Sequence, residues 1–326
     1  MSKPTIHMIG QAHLDPVWLW RWTEGRAEAL ATSQSAVDRL RETPDFHFTR
    51  GEAQIYAWIE EENPPLFAEI RELIQAGRWH VVNGMVIQPD MNLPQGESFV
   101  RQILLGKRYM REHLGVEPRI AYCVDSFGHA GTLPQILSKC GFDAYVFMRP
   151  GLHEKTLPAQ TFWWQAPDGS RILTFRIAFN YETRVVDHRA HIERTLAAKQ
   201  DVLNDVMCFF GVGNHGGGPT KAQIENVQQL AGERKDLNIV FSWPDAYFAA
   251  VAGDVAGLPT VAEELQFHAI GCYSVNSALK RSHRKAECGL LFAERMAVLA
   301  EHWAGRPAPL EQLRALWWEL CFNQFS

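Results

Sequence analysis

The sequence contains no apolar run of membrane-spanning length, and its first residues, Met1-Ser2-Lys3-Pro4, carry no secretory signal pattern. A bilayer-embedded chain is therefore not expected. Positive charge is not in excess either. The formal net charge is -5, which argues against nucleic acid or an anionic membrane surface as the main partner. The six cysteines, Cys123, Cys140, Cys208, Cys272, Cys288 and Cys321, form no Cys-x-x-Cys pair and no disulfide-framework spacing. In mostly apolar surroundings they are expected to be buried free thiols, which suits a reducing, cytoplasmic location. No repeat or low-complexity segment stands out. The one glycine-rich stretch, Gly211-Val212-Gly213-Asn214-His215-Gly216-Gly217-Gly218, lacks the Lys-Ser/Thr pair of a phosphate loop. Its glycines suit a backbone that passes close to a ligand and presents His215.

What is there is globular material. The 326 residues, 46% hydrophobic and 21% charged, are enough for a sizeable core in one large domain or two ordinary ones. Apolar, strand-like runs fall at 4–9, 46–49, 79–82, 119–124, 143–147, 171–177, 206–211 and 238–241, with helical patterns between them. The clearest helix runs from Pro65 to Ile74, with proline at its start and Gly77 past its end. Others run from Glu97 to about His113 and from about Leu133 to Cys140. Strict alternation predicts a parallel α/β sheet, either a closed barrel or an open doubly wound sheet. From Ser277 the chain turns helical, over Ala286–Ala304 and Leu310–Phe325, as at the start of a helical bundle. The apolar face of the last helix has little to cover it, so a shortened protein is expected.

In alternating α/β folds functional side chains gather at the carboxyl ends of strands. Four polar clusters fall there. His13 and Asp15, in Gly10-Gln11-Ala12-His13-Leu14-Asp15-Pro16, follow the first run; residues i and i+2 of an extended segment point the same way. An imidazole and a carboxylate converging on one point suit a divalent metal, zinc first, although a loop histidine and a helix-capping aspartate would look the same. Trp18 adds a flat apolar wall. Asp90 follows the run at 79–82. Asp125 follows Ile120–Val124 and could also be a helix N-cap. Asn214-His215 follows the run at 206–211. Arg149 could be a surface salt-bridge residue, and His129 and His268 structural histidines.

Together these segments resemble glycoside hydrolase family 38, the α-mannosidases. The likeness lies in Ala12-His13-Leu14-Asp15-Pro16-Val17-Trp18, Gly77-Arg78-Trp79, Gln88-Pro89-Asp90-Met91-Asn92, Asp125-Ser126-Phe127-Gly128, Phe162-Trp163-Trp164, Gly213–Thr220 and Gly271-Cys272-Tyr273-Ser274 with Lys280-Arg281, all in family order. The resemblance implies a seven-stranded β/α barrel, expected over 1–260, and a partial three-helix-type domain over 261–326. The family's large C-terminal β-sandwich domains are not expected within these residues. It also implies one Zn2+ per chain, held by His13, Asp15, Asp125 and a further histidine, with Asp125 doubling as nucleophile. Trp18, Phe127, Arg149 and Asp90 match positions expected to contact the sugar. For the acid/base, His215 is the expected residue, with a carboxylate such as Asp90 as the alternative. Phe322-Asn323-Gln324-Phe325 matches the segment that precedes the family's fourth ligand, where this chain has Ser326; weaker metal binding is the expectation.

The expected function is thus zinc-dependent, retaining hydrolysis of α-mannosides. Two other readings are a metal-dependent carbohydrate deacetylase or amidohydrolase, needing no nucleophilic carboxylate, and a non-catalytic sugar- or metal-binding fragment. Self-association into a homo-oligomer is left open.

Overall fold

The computed structural model describes residues 3–213 and 216–325. The expected strands form where the apolar runs lie: β1 (Thr5–Gly10), β2 (Phe48–Arg50), β3 (Trp79–Val81), β4 (Ile120–Cys123), β5 (Ala144–Phe147), β7 (Arg171–Arg176), β8 (Val206–Phe210) and β9 (Asn238–Ser242). Two more appear, β6 (Thr161–Gln165) and β10 (Thr260–Val261). Their hydrogen bonds make three sheets, in the orders β8-β1-β9, β2-β3 and β10-β6-β7-β5-β4. This mixed α/β arrangement is not the continuous seven-stranded barrel expected. The sheets meet edge to edge through isolated contacts: a parallel bridge from Gln11 to Thr49 and a 2.9 Å bond from the Asn83 amide to the Ile120 carbonyl. The reason is length, since β2 and β3 have only 3 residues each and offer too few backbone groups for a ladder on both edges.

The second departure from the expectation is the antiparallel pairing of β6 with β7. Pro167-Asp168-Gly169 turns the chain tightly between them, with Gly169 at φ +86° and Asp168 accepting from the Ser170 amide. A Pro-Asp-Gly turn is a hairpin signal, so this pairing was present in the sequence.

Helices pack outside the strands. α1 (Trp22–Glu42) and α2 (Ala53–Glu62) precede α3 (Pro64–Gln75), whose first turn is capped by Asn63 accepting from the Leu66 amide. α4 (Gly96–Tyr109) runs on through one π-type turn and stops at Gly115, in the left-handed region at φ +71°. α5 (Leu133–Lys139), α6 (Arg189–Ala198), α7 (Lys221–Glu233) and α8 (Pro244–Val251) follow. α9 (Ser277–Ala304) starts earlier than its apolar pattern suggested because the Asn276 side chain accepts from the Leu279 amide. α10 (Leu310–Phe322) returns beside it. Both lie on α4, where Arg101 makes a two-pronged bond to Glu294 at 2.9 and 2.8 Å and covers the Trp317 ring. Past α10 the Gln324 carbonyl accepts from the Asp90 amide at 2.7 Å and Phe325 bridges to Pro89, fastening this end to the strand-end loops. All six cysteines are free, but only Cys123, Cys208 and Cys321 are buried, and Cys288 is exposed. Among the described residues no helix is long and apolar enough to cross a membrane.

Three half-buried or buried histidines make stability pH-dependent. Burial pushes His129 down to about 3 and His191 to about 4, and burial with the positive charges of His47 and Arg78 takes His80 to about 3. In the unfolded chain each takes up a proton near 6.5. The unfolded state therefore binds more protons in the interval between, and stability falls as pH drops from about 6.5 towards 4. Thermal unfolding followed by circular dichroism should give a midpoint that falls steadily as the pH drops below about 6.5.

Candidate metal and catalytic site

β1 ends at Gly10, and the chain runs on in an irregular extended path. His13 lies on it almost fully buried, its ring packed edge-on against Tyr181 with centroids 5.1 Å apart. Its Nε2 is 3.4 Å from Asp15 Oδ1 and 4.0 Å from Asp125 Oδ2. Asp125 arrives from the end of β4. One ligand atom from each of these three residues lies within 4.8 Å of the others, the one such group among the described residues.

Both alternatives for the carboxylates are ruled out by position. The helix after Asp125 is capped at Thr132, and α1 starts after Arg21, so neither Asp125 nor Asp15 caps a helix. Asp125 is instead held by Arg149, whose Nε donates to Oδ1 at 2.5 Å. Arg149 is itself fixed: His129 Nε2 bonds its carbonyl at 2.8 Å, while Tyr145 OH bonds His129 Nδ1 at 2.8 Å. The tautomer with hydrogen on Nε2 satisfies both. His129 is thus a structural histidine, and His268, bonded to Arg149 and Glu154, is also a positioning group.

The donor set fits a divalent cation. Both nitrogens of the buried His13 ring lack a hydrogen-bond partner, an uncommon condition for buried polar atoms. An imidazole with two carboxylates is a ligand combination suited to zinc and similar cations. Electrostatics point the same way. Burial opposes a charge on His13, yet attraction to Asp15, then to Asp125 and Glu52, outweighs it and lifts its pKa to about 9. The site attracts positive charge strongly enough to hold a proton on a buried ring.

The other expected contact residues surround this centre unevenly. Phe127 lies under the Arg149 guanidinium at 5.9 Å and, with Asp90, Lys280 and Phe325, lines a cavity of about 260 Å3. Asp90 is not a member of the metal group. Its Oδ1 accepts from the Asn92 and Leu93 amides at 2.8 Å each, and burial nevertheless pushes its pKa up. Trp18 is 58% exposed and packs edge-on against Trp20. His215, with Asn214, lies outside the described residues. The sequence reading missed Tyr181 and Glu52. Glu52 had a signal: it comes soon after the short run at 46–49, the same strand-end rule that picked out the others.

Comparison with known proteins agrees with this picture. Residues 3–269 match the glycosyl hydrolases family 38 N-terminal domain. Alpha-mannosidase 2C1 of Homo sapiens is 30% identical over 334 residues, covering 99% of this chain and 32% of the relative. Alpha-mannosidase of Saccharomyces cerevisiae is 26% identical, covering 98% and 31%. Among solved structures, an alpha-mannosidase from Enterococcus faecalis V583 superposes with a TM-score of 0.86 at 22% identity, over 99% of this chain and 38% of that one. The chain thus spans about a third of the length of the curated relatives it matches. From strand-end motifs, site geometry and this match over most of its length, the chain belongs to glycosyl hydrolase family 38.

Proposed function

We propose that this chain is the catalytic region of a zinc-dependent, retaining α-mannosidase. The observation that carries the reading is the meeting of Asp125, clamped by Arg149 at 2.5 Å, with the buried His13–Asp15 pair in a family 38 chain. His13, Asp15 and Asp125 would hold the cation. Bound there, zinc supplies a positive charge that can anchor sugar hydroxyls and assist ring distortion.

The chain's own groups account for the remaining chemistry. The carboxylate of Asp125 attacks the anomeric carbon from the face opposite the leaving group, and the bond to the aglycone oxygen breaks. That oxygen takes a proton from an acid. A water molecule, deprotonated by the same group, then displaces Asp125 from the glycosyl ester, and two inversions leave the configuration retained. Arg149 fixes which way the Asp125 carboxylate faces. Phe127 offers an aromatic face in the adjoining cavity of about 260 Å3. For the acid, His215 and Asp90 remain the two candidates. Asp90 has support in the upward shift that burial gives it, the direction a proton donor requires. The fourth ligand position, Ser326, lies outside the described residues.

The test is turnover of an aryl α-mannoside by the zinc-loaded chain, followed by proton NMR. Release of α-mannose as the first-formed anomer is the expected outcome. First release of the β anomer, or no release with zinc bound, would sink the reading.

A further inference from the structure

Glu52 is out of place for a structural residue. It is almost fully buried in the loop between β2 and α2, and it holds a left-handed backbone at φ +63°. Few side-chain-bearing residues adopt that conformation, and those that do are held there by their surroundings, often at functional sites. The surroundings are visible here. A Cβ on the preceding Gly51 would lie 2.9 Å from Asn83 Cβ, and the Ala53 and Gln54 amides donate to the Met85 and Val86 carbonyls at 3.0 and 2.9 Å. The loop is pressed against the segment after β3, and this aims the Glu52 side chain inward.

Its two oxygens have different fates. Oε1 accepts from Gln88 Nε2. The other end of Gln88 accepts from the Val124 amide at 2.9 Å, immediately before Asp125. Oε2 is buried with no hydrogen-bond partner, and so is His13 Nδ1. Both residues line one small cavity of about 10 Å3, together with Asp15 and Gln88. That is close to the room a single water needs. His13 turns Nε2, not Nδ1, towards Asp15 and Asp125. Nε2 is therefore the ligand nitrogen, and the Nδ1 hydrogen needs an acceptor. Metal-bound histidines nearly always donate this second hydrogen to a carboxylate, a carbonyl or water.

We propose that Glu52 is the positioning residue of the metal centre: its free oxygen accepts the Nδ1 hydrogen of His13, directly or across one water. The same carboxylate, through Gln88, ties the loop carrying His13 and Asp15 to the strand end carrying Asp125. It touches neither cation nor sugar. Its role is to fix the His13 tautomer and the spacing of the ligands. This inference rests on the reading that His13, Asp15 and Asp125 bind a divalent cation.

The test is zinc affinity of the full chain, measured by competition with a chromophoric chelator. Glu52→Gln keeps the shape but offers one acceptor where two donors must be served. It should weaken zinc binding by about 10- to 100-fold, while the unfolding midpoint of the metal-free protein stays within a few degrees. Affinity within twofold of the parent overturns the proposal. A parent chain that binds no zinc overturns the metal reading instead. Should Glu52→Gln not fold, nitrogen-15 NMR of the zinc-loaded parent decides. A slowly exchanging Nδ1 hydrogen on His13 is expected, and its absence overturns the assignment.

Discussion

Asp125→Ala is expected to lower turnover of an aryl α-mannoside by about 10^4-fold or more, near 5 kcal/mol of transition-state stabilisation. Two losses combine. The carboxylate proposed to attack the anomeric carbon disappears, and so does one of three candidate ligand atoms lying within 4.8 Å. Added azide separates them. In the alanine variant azide can enter on the vacated face and give the β-mannosyl product, with activity partly restored, provided zinc content is unchanged. Turnover that survives the substitution with metal bound would exclude Asp125 as nucleophile. It would favour the alternative in which the metal centre activates water, as in a carbohydrate deacetylase or amidohydrolase. The variant also leaves the Arg149 guanidinium without its 2.5 Å partner, so the zinc measurement has to accompany the rate.

The second large effect is expected at His13. Among the described residues His13 offers the one candidate nitrogen ligand, on a ring buried against Tyr181. His13→Ala leaves Asp15 and Asp125 with the buried Glu52 nearby, a set rich in negative charge and poor in geometry. Zinc affinity should fall by on the order of 100-fold or more, beyond what loss of a residue that only hydrogen-bonds a ligand costs. Turnover should fall to that of the chelator-treated parent. Restoring zinc to the treated parent should restore its activity, whereas the same addition to His13→Ala should not. A chelator-treated parent that keeps full activity would remove the metal from the mechanism and leave the group at His13 as a charge cluster only.

These two expectations use residues that were plain in the sequence. His13 and Asp15 are two apart on an extended segment, and Asp125 ends an apolar run; both facts are local. Local rules also placed α3, from the proline at its start and Gly77 past its end, and the eight strands that carry continuous apolar runs. The family could be recognised because its motifs occur in order along the chain.

Other features could not be read locally. The short β2 and β3 ladders depend on how many backbone groups meet across strands far apart in sequence, so the alternation allowed a closed barrel or an open sheet, and the family resemblance implied a barrel, where three sheets form. Trp18 shares a motif with the candidate metal ligands yet stands 58% exposed, because a ring's direction is set by what it packs on, here Trp20. Arg149 was ambiguous by itself. Its role follows from contact with Asp125, 24 residues away.

The sequence by itself determined at which strand ends the candidate side chains stand, since period, capping and spacing act over a few residues. Tertiary structure alone decided their geometry: the approach of Asp125 to His13, the clamp of Arg149, and the enclosure of Glu52 and His13 around one small cavity. Those contacts depend on packing between distant segments and on the burial that makes an unpaired polar atom costly, and neither is written in any single stretch of chain.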